Sequence, residues 1–142
     1  MPTRTGNAQW NGGLKDGNGT VSTPNNFING QYSFSSRFEE GDGTNPEELL
    51  ATAHAACFSM AFSGGLEAAG FTAVSVRTEA KVHIEKGEAG FSITKIDLIT
   101  NAEVPGIEEA QFQEIAEEKK KGCPVSQALA SVEMTLAATL NA

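Results

Sequence analysis

The residues with the most reactive side chains in this 142-residue sequence are two cysteines, Cys57 and Cys123, which lie far apart along the chain. Two cysteines can be buried bystanders, metal ligands or redox-active thiols. Cys57 lies among small and apolar residues, and burial of that kind raises a thiol pKa and makes the thiol inert. Cys123 follows three lysines and precedes Pro124, which predicts an N-cap position where a thiolate is favoured. Local electrostatics therefore favour Cys123 as the more reactive thiol.

Two histidines extend the set of candidate groups. His54 lies three residues before Cys57 on the same predicted helix face, and a base beside a thiol can activate it, although a lone helical histidine is usually structural. His83, on the polar face of a predicted strand, is expected to be solvated. A zinc site built from His54, Cys57 and Cys123 is conceivable, but the short paired spacings typical of zinc ligands are absent.

The element that carries Cys57 is predicted to be a long helix. Asn45 is a suitable N-cap, a proline follows at the first helical position, and two glutamates favour the positive end of the helix. With Asn45 as the cap, Glu48 can complete a capping box by turning back to the cap residue. Glu47 is then free to point elsewhere and is the better functional candidate of the two.

The remaining sequence predicts strands around this helix. Gly- and Asn-rich clusters within residues 1–36 favour the tight turns of an antiparallel meander, and the aromatic pattern of Tyr32–Phe38 predicts a strand that ends at Arg37. The long helix is predicted to run from Asn45 to near Gly70, with a conceivable break at Gly64-Gly65. Two strands are predicted to follow it, Val74–Ile84 and a second strand with a bulge near Thr94-Lys95. The last predicted elements are a helix Ile107–Lys121 terminated by Gly122, a short helix that begins at Cys123-Pro124, and a strand Val132–Leu140.

Composition and element order limit the fold and the kinds of partner. Apolar residues make up 39% and charged residues 20% of the sequence, which is ordinary for a single globular domain over residues 1–142. The element order predicts an α+β fold with an antiparallel sheet packed around helices. The helix from Leu49 to Leu66 has more apolar sides than so short a chain can cover, which predicts a homodimer.

Charge and the first residues predict the location. The formal net charge of −8 disfavours nucleic acid and anionic membrane surfaces as partners. The N-terminal residues lack the apolar segment of a secretory signal, and the Ala-, Ser- and Gly-rich helix that contains His54 is not expected to span a membrane. We therefore expect a cytoplasmic protein.

Two motifs resemble the OsmC family, the osmotically inducible protein C group. The first is the run NPEELLATAHAACFSMA at residues 45–61, and the second is CPVS at residues 123–126. With the Gly-rich first strands and the SSRF segment at residues 35–38, the resemblance covers nearly the whole chain. It implies an intertwined homodimer of OsmC-like α+β fold that reduces peroxides through a cysteine pair, as in the organic hydroperoxide resistance proteins of the sister group.

The resemblance also assigns roles to residues. Cys57 corresponds to the peroxidatic cysteine and Cys123 to the resolving cysteine, which reverses the local electrostatic ranking; Arg37 and Glu47 correspond to the site arginine and its carboxylate partner. A straight helix would hold Glu47 and Cys57 about 15 Å apart along its axis. Arg37 must then span part of the gap, or the first turn is irregular, or one partner comes from the second subunit.

The expected activity is reduction of organic hydroperoxides, with hydrogen peroxide a weaker substrate, through a sulfenic acid on Cys57 and a disulfide to Cys123. Apolar residues near Cys57, namely Leu50, Phe58 and Met60, are candidates for a substrate pocket. The family resemblance implies dithiol or lipoyl reductants rather than a bound cofactor. Two rival hypotheses are a noncatalytic redox sensor or stress-binding protein that uses the same cysteines, and a structural zinc site.

Overall fold

The computed structural model describes residues 1–141, which fall into two compact units divided between Leu49 and Leu50. Each unit is built from its own short sheet and from helices. The first unit contains three strands and a short helix: β1 (Asn7–Asn11), β2 (Asn18–Ser22), β3 (Asn29–Tyr32) and α1 (Phe34–Phe38). The strands pair antiparallel in the order β1-β2-β3, so the predicted meander is confirmed.

The predicted strand over residues 32–38 is wrong, because most of this segment forms α1. Ser33 is its N-cap: its hydroxyl accepts from the Ser36 N–H at 3.1 Å, and the Ser36 hydroxyl accepts from the Ser33 N–H at 2.8 Å. The rings of Phe34 and Phe38, four residues apart, lie 5.1 Å from each other on one face of the helix. The spacing of these aromatic residues fits the period of two of a strand, but it also fits one turn of a helix, and the helix is what forms.

The long helix α2 (Pro46–Ala68) begins where the sequence predicts. The side-chain oxygen of Asn45 accepts from the Glu48 N–H at 2.8 Å, which is the predicted capping contact. At the other end, the Phe71 N–H donates to the Leu66 carbonyl at 2.9 Å, and Gly70 has a positive φ of 97°. This is the glycine-terminated ending that a left-handed residue permits.

The conceivable break of α2 at Gly64-Gly65 does not occur, because the helix runs through both glycines. Gly65 instead allows a close approach to α3 (Glu109–Gly122). A Cβ atom added at Gly65 would lie 2.7 Å from Lys119 Cε and 3.0 Å from Ile115 Cγ2, which is too close for an undisturbed contact. The lack of a side chain at Gly65 therefore allows α2 and α3 to pack closely and does not bend α2.

The second unit is built on a three-stranded sheet of β4 (Ser75–Gly87), β5 (Gly90–Glu103) and β6 (Glu133–Asn141), in the order β4-β5-β6. The α+β class is confirmed, but the sheet is not antiparallel throughout: β4 and β5 are antiparallel, whereas β5 and β6 are parallel. The connection between β5 and β6 carries α3 and α4 (Pro124–Ala128), and such a long crossover returns the chain in the same direction.

Two local predictions in this unit have different outcomes. The bulge in β5 is confirmed, since His83 pairs with Lys95 and Ile84 with Ile93, which leaves Thr94 as the extra residue. Termination of α3 by a left-handed Gly122 is wrong: Gly122 is the last helical residue and has no positive φ. The chain instead leaves the helix at Cys123, which is extended at φ −66° and ψ 144°, as expected of a residue before proline.

The core of the second unit lies between the sheet and its helices. Its fully buried large side chains are Phe58, Phe62, Leu66, Ile96, Leu98 and Phe112. Three of these lie on α2 at intervals of four residues, so one face of this helix packs into the core. Within residues 1–141, α2 alone is long and apolar enough to cross a bilayer, with 22% of its apolar window buried. One face of the helix packs into the core through Phe58 and Phe62, and most of the apolar window is exposed in the single chain.

Candidate active site

Helices α2 and α4 bring the two cysteines of the second unit into contact. Cys57 lies on α2 and is half-buried, whereas Cys123 immediately precedes α4 and is buried. Cys57 packs against the buried cluster that contains Cys123, and both the Cys123 side chain and the backbone N–H of Val125, in the first turn of α4, influence the pKa of the Cys57 thiol. Both cysteines are free thiols. The fold therefore brings together two residues that are 66 positions apart in the sequence.

The surroundings of Cys57 within the second unit do not activate it. Burial is the largest influence and raises the pKa of the thiol. The Val125 N–H lowers the pKa, and the hydrogen bond and charge of Cys123 raise it further. A thiol held in this way needs a cation if it is to react as a thiolate at neutral pH.

Cys123 caps the short helix α4, as the sequence predicts. The Ser126 N–H donates to its sulfur at 3.4 Å, and its thiol contacts the Ser126 hydroxyl at 3.1 Å. Only 1% of Cys123 is exposed. The thiol is therefore fixed in direction and shielded from water.

His54 is buried and is linked to Cys123 by a third side chain. Its Nε2 atom lies 2.7 Å from the Ser126 hydroxyl, whereas Nδ1 has no hydrogen-bond partner in the described part of the chain. Burial lowers the pKa of the imidazole and favours the neutral ring. The hydrogen bond of His54 is directed at Ser126, and His54, Ser126 and Cys123 form a row.

Sequence reasoning missed Ser126, although the signal for it was available. It is the third residue of α4 after the Cys123 cap, a position whose N–H normally bonds to the cap side chain. That spacing predicts contact with Cys123. The contact with His54, 72 residues away, could not be seen locally.

Arg37 and Glu47 meet within the first unit. Arg37 Nε lies 3.0 Å from Glu47 Oε1, and Nη2 lies 2.9 Å from Oε2, so the arginine and its expected carboxylate partner form a bidentate pair. The Glu47 side chain is 9% exposed and that of Arg37 36%. The hydrogen bond to Glu47 is the main cause that raises the pKa of Arg37. The guanidinium is therefore a permanent cation held in a fixed direction, with part of its surface still open.

An open aromatic cavity borders this arginine. Its volume is about 230 Å³, and it is lined by Trp10, Leu14, Tyr32, Ser33, Phe34, Arg37 and Phe38. The pocket expected from residues near Cys57 is not formed by Phe58 and Met60. Phe58 is fully buried in the core, whereas Met60 is 81% exposed. The two residues lie on different sides of α2.

The remaining histidine is exposed to solvent, as the sequence predicts: 44% of the His83 side chain is accessible. His83 Nε2 lies 2.7 Å from Asp97 Oδ2 on the outer face of the sheet. Over residues 1–141, no group of three His, Cys, Asp or Glu side chains is placed to hold a metal ion. The zinc hypothesis therefore has no ligand set in that part of the chain.

Comparisons with known proteins match this architecture and its motifs. The family model described as OsmC-like protein matches residues 39–137. Peroxiredoxin OsmC of Escherichia coli K12 is 52% identical over 134 residues, which cover 94% of this chain and 93% of that protein. The organic hydroperoxide resistance protein of Xanthomonas axonopodis pv. citri is 33% identical over 102 residues, 68% of this chain and 67% of that protein.

A solved structure gives the same fold. The OsmC-like protein from Mycoplasma pneumoniae superposes with a TM-score of 0.79 over 99% of both chains at 16% identity. At that identity the likeness concerns the fold alone.

Proposed function

This chain belongs to the OsmC family, and we propose that it reduces hydroperoxides with Cys57 as the attacking thiol and Cys123 as the resolving thiol. It is a thiol-dependent peroxidase of oxidative or osmotic stress defence, as the names of its relatives indicate. The observation that carries the assignment of the two residues is their proximity: Cys57 packs against the buried cluster that contains Cys123, and Cys123 influences the pKa of Cys57. A thiol that must be closed into a disulfide after reaction needs its partner within reach.

The proposed reaction has two steps. The Cys57 thiolate attacks one oxygen of the hydroperoxide, the O–O bond breaks, and the leaving alkoxide takes a proton and departs as an alcohol. The sulfur now carries a hydroxyl group as a sulfenic acid. Cys123 then attacks this sulfur, the S–O bond breaks, water leaves, and a disulfide joins the two cysteines. An external dithiol, for which lipoyl groups are a candidate, returns both cysteines to thiols by disulfide exchange.

Arg37 is proposed to supply the cation that Cys57 lacks within its own unit. The guanidinium is fixed by Glu47, which leaves it pre-organised to hold a thiolate and a peroxide oxygen. The aromatic cavity beside Arg37 supports a preference for organic hydroperoxides over hydrogen peroxide, because an apolar substituent gains from burial there. Which subunit of a dimer supplies Arg37 to a given Cys57 does not alter this role.

A homodimer is proposed on the exposed face of α2. Opposite its buried face, this helix exposes apolar or small residues at helical spacing, namely Ala53, Ala56, Met60 and Gly64. Such a stripe allows a second helix to approach closely and leaves a large apolar area uncovered in a single chain. We propose a cytoplasmic location, because the first residues lack the apolar segment of a secretory signal.

The test is a peroxidase assay with tert-butyl hydroperoxide, cumene hydroperoxide and hydrogen peroxide, each with dithiothreitol or dihydrolipoamide as reductant. The parent should turn over repeatedly, and Cys57→Ser should lose activity because no other residue accepts the oxygen. A parent that consumes one equivalent of peroxide and then stops in the presence of either dithiol would favour the rival redox sensor. Metal analysis of the purified protein tests the zinc hypothesis.

A further inference from the structure

Three buried polar side chains form a continuous row behind the cysteine pair. His54 Nε2 lies 2.7 Å from Ser126 Oγ, and Ser126 Oγ lies 3.1 Å from Cys123 Sγ. The exposed fractions of these residues are 0% for His54, 3% for Ser126 and 1% for Cys123. The row joins α2 to the start of α4 and ends on the sulfur opposite Cys57.

Packing alone does not account for the histidine. Burying a polar group without a hydrogen bond costs about 1–3 kcal/mol, and the Nδ1 atom of His54 is buried and unpartnered within residues 1–141. An apolar side chain of similar size would fill the position without this penalty. The one hydrogen bond that the structure gives the ring is directed at Ser126, which touches the reacting thiol.

The resolving step needs a proton acceptor inside the protein. Cys123 must lose its proton to attack, because the thiolate is the nucleophile. Its thiol is screened from bulk water, so solvent is a poor acceptor for that proton. The Ser126 hydroxyl can accept from the thiol while donating its own hydrogen to an imidazole nitrogen.

We propose that Ser126 and His54 form a proton relay that deprotonates Cys123 during disulfide formation. The relay rests on the proposed function, since it acts only after Cys57 has become a sulfenic acid. Ser126 acts directly on the reacting thiol of Cys123, and His54 is a positioning residue in this account, because it acts on that thiol through Ser126.

The proton and electron balance is as follows. With its ring proton on Nδ1, His54 has a free Nε2 lone pair directed at Ser126. The Cys123 proton moves to Ser126 Oγ as the Ser126 proton moves to His54 Nε2. The Cys123 thiolate forms the S–S bond, the S–O bond of Cys57 breaks, and hydroxide leaves. Cys123 sulfur is oxidised and Cys57 sulfur is reduced. The hydroxide takes up one proton to become water, and His54 gives up the proton that it received.

Burial keeps the imidazole unprotonated before the step. It lowers the pKa of His54, so the ring is neutral and has a nitrogen lone pair free, although it is a weaker base than an exposed histidine. The same burial makes the imidazolium short-lived, which returns the proton once the hydroxide has formed. A relay of this kind is expected to contribute about 10²-fold to the resolving step, as positioned acid-base groups do.

The experiment separates the two half-reactions in single turnover. Reduced protein is mixed with one equivalent of cumene hydroperoxide and quenched over time with dimedone and an alkylating agent, and mass spectrometry then counts sulfenic acid and disulfide. The variants are Ser126→Ala, His54→Gln and the conservative Ser126→Thr. Ser59→Ala is the matched control, because its hydroxyl lies on α2 but bonds to Thr78 at 2.7 Å.

The relay predicts that Ser126→Ala and His54→Gln form the sulfenic acid within about twofold of the parent rate. Both variants should close the disulfide about 10²-fold more slowly and accumulate sulfinic acid in excess peroxide. Ser126→Thr should recover most of the closing rate, and Ser59→Ala should match the parent in both steps.

Three results would overturn the relay. They are disulfide closure within threefold of the parent in either folded variant, equal slowing of both half-reactions, and failure of Ser126→Thr to recover any of the closing rate. Should Ser126→Ala not fold, His54→Gln and Ser126→Thr still decide the question. A parent that forms no sulfenic acid on Cys57 would refute the proposed function itself, which is a different result from slow closure after normal oxidation.

Discussion

Replacement of Arg37 tests the cation that Cys57 requires. A thiol with a pKa of about 8.5 is about 3% ionised at pH 7, and lowering the pKa to about 6 raises this to about 90%, which gives about thirtyfold in rate. The starting point is less favourable here, because burial raises the Cys57 pKa. Loss of a hydrogen-bond donor to the leaving oxygen lowers the rate by a further factor of about 10². Arg37→Met should therefore slow Cys57 oxidation by at least about 10²-fold.

The same variant should also lose stability, and the two effects can be separated. Glu47 is nearly buried, and removing one partner of a buried ion pair lowers the unfolding free energy by about 3–5 kcal/mol. Because 36% of the Arg37 side chain is exposed, we expect the loss here to be less than about 3 kcal/mol. Arg37→Met with Glu47→Gln removes the unpaired carboxylate. The double variant should regain much of the unfolding free energy but remain as slow as Arg37→Met alone.

The assay is the rate of Cys57 oxidation by a stoichiometric hydroperoxide in the parent, both single variants and the double variant. Glu47→Gln alone should be slowed less than Arg37→Met, because the guanidinium keeps its charge. Arg4→Met, which removes an exposed arginine of the same unit, is the control. Oxidation of Arg37→Met within threefold of the parent would refute the role of the cation, and penalties that multiply in the double variant would show that Glu47 acts independently.

Three further outcomes are expected. Cys123→Ser should consume one equivalent of peroxide and leave Cys57 as a sulfenic or sulfinic acid by mass spectrometry; Cys57 that stays reduced would reverse the two roles. Burial lowers the pKa of His54 in the folded state below 6.5, so the unfolding free energy should fall as the pH drops from about 6.5 toward that lower pKa. Chemical denaturation of the reduced His54→Phe variant over the same pH range should show a smaller fall in unfolding free energy. Met60→Glu places a charge on the exposed face of α2 and should shift light scattering from dimer to monomer, whereas Lys15→Glu should not; an unchanged dimer in Met60→Glu would place the interface elsewhere.

Features set by neighbouring residues were predictable from the sequence. The start of α2 at Asn45 follows from a cap, a proline and two carboxylates, and the bulge in β5 follows from a change in the parity of its apolar residues. The segment around Arg37 was predicted wrongly, because aromatic spacing fits two periods and the Ser33–Ser36 capping contacts decide between them.

Features set by distant residues were not predictable from local pattern. Family motifs identified Cys57 and Cys123, but local electrostatics ranked them in the opposite order. The burial that raises the pKa of Cys57 was expected from its apolar neighbours, whereas a cation supplied by tertiary contact, as proposed for Arg37, is not visible in the local sequence. The direction of β6 depends on the crossover that precedes it. The partner of His54 depends on the packing of α4 against α2, and a pattern within either helix carries no record of that contact.

The central claim is that Cys57 and Cys123 of one chain close a disulfide after reaction with a hydroperoxide. Peptide mapping by mass spectrometry, before and after one equivalent of cumene hydroperoxide, tests it most directly. We predict two free thiols before the reaction, and afterwards a disulfide joining the peptides that contain Cys57 and Cys123, with one equivalent of cumyl alcohol released. Release of the alcohol with both cysteines still reduced would contradict the account.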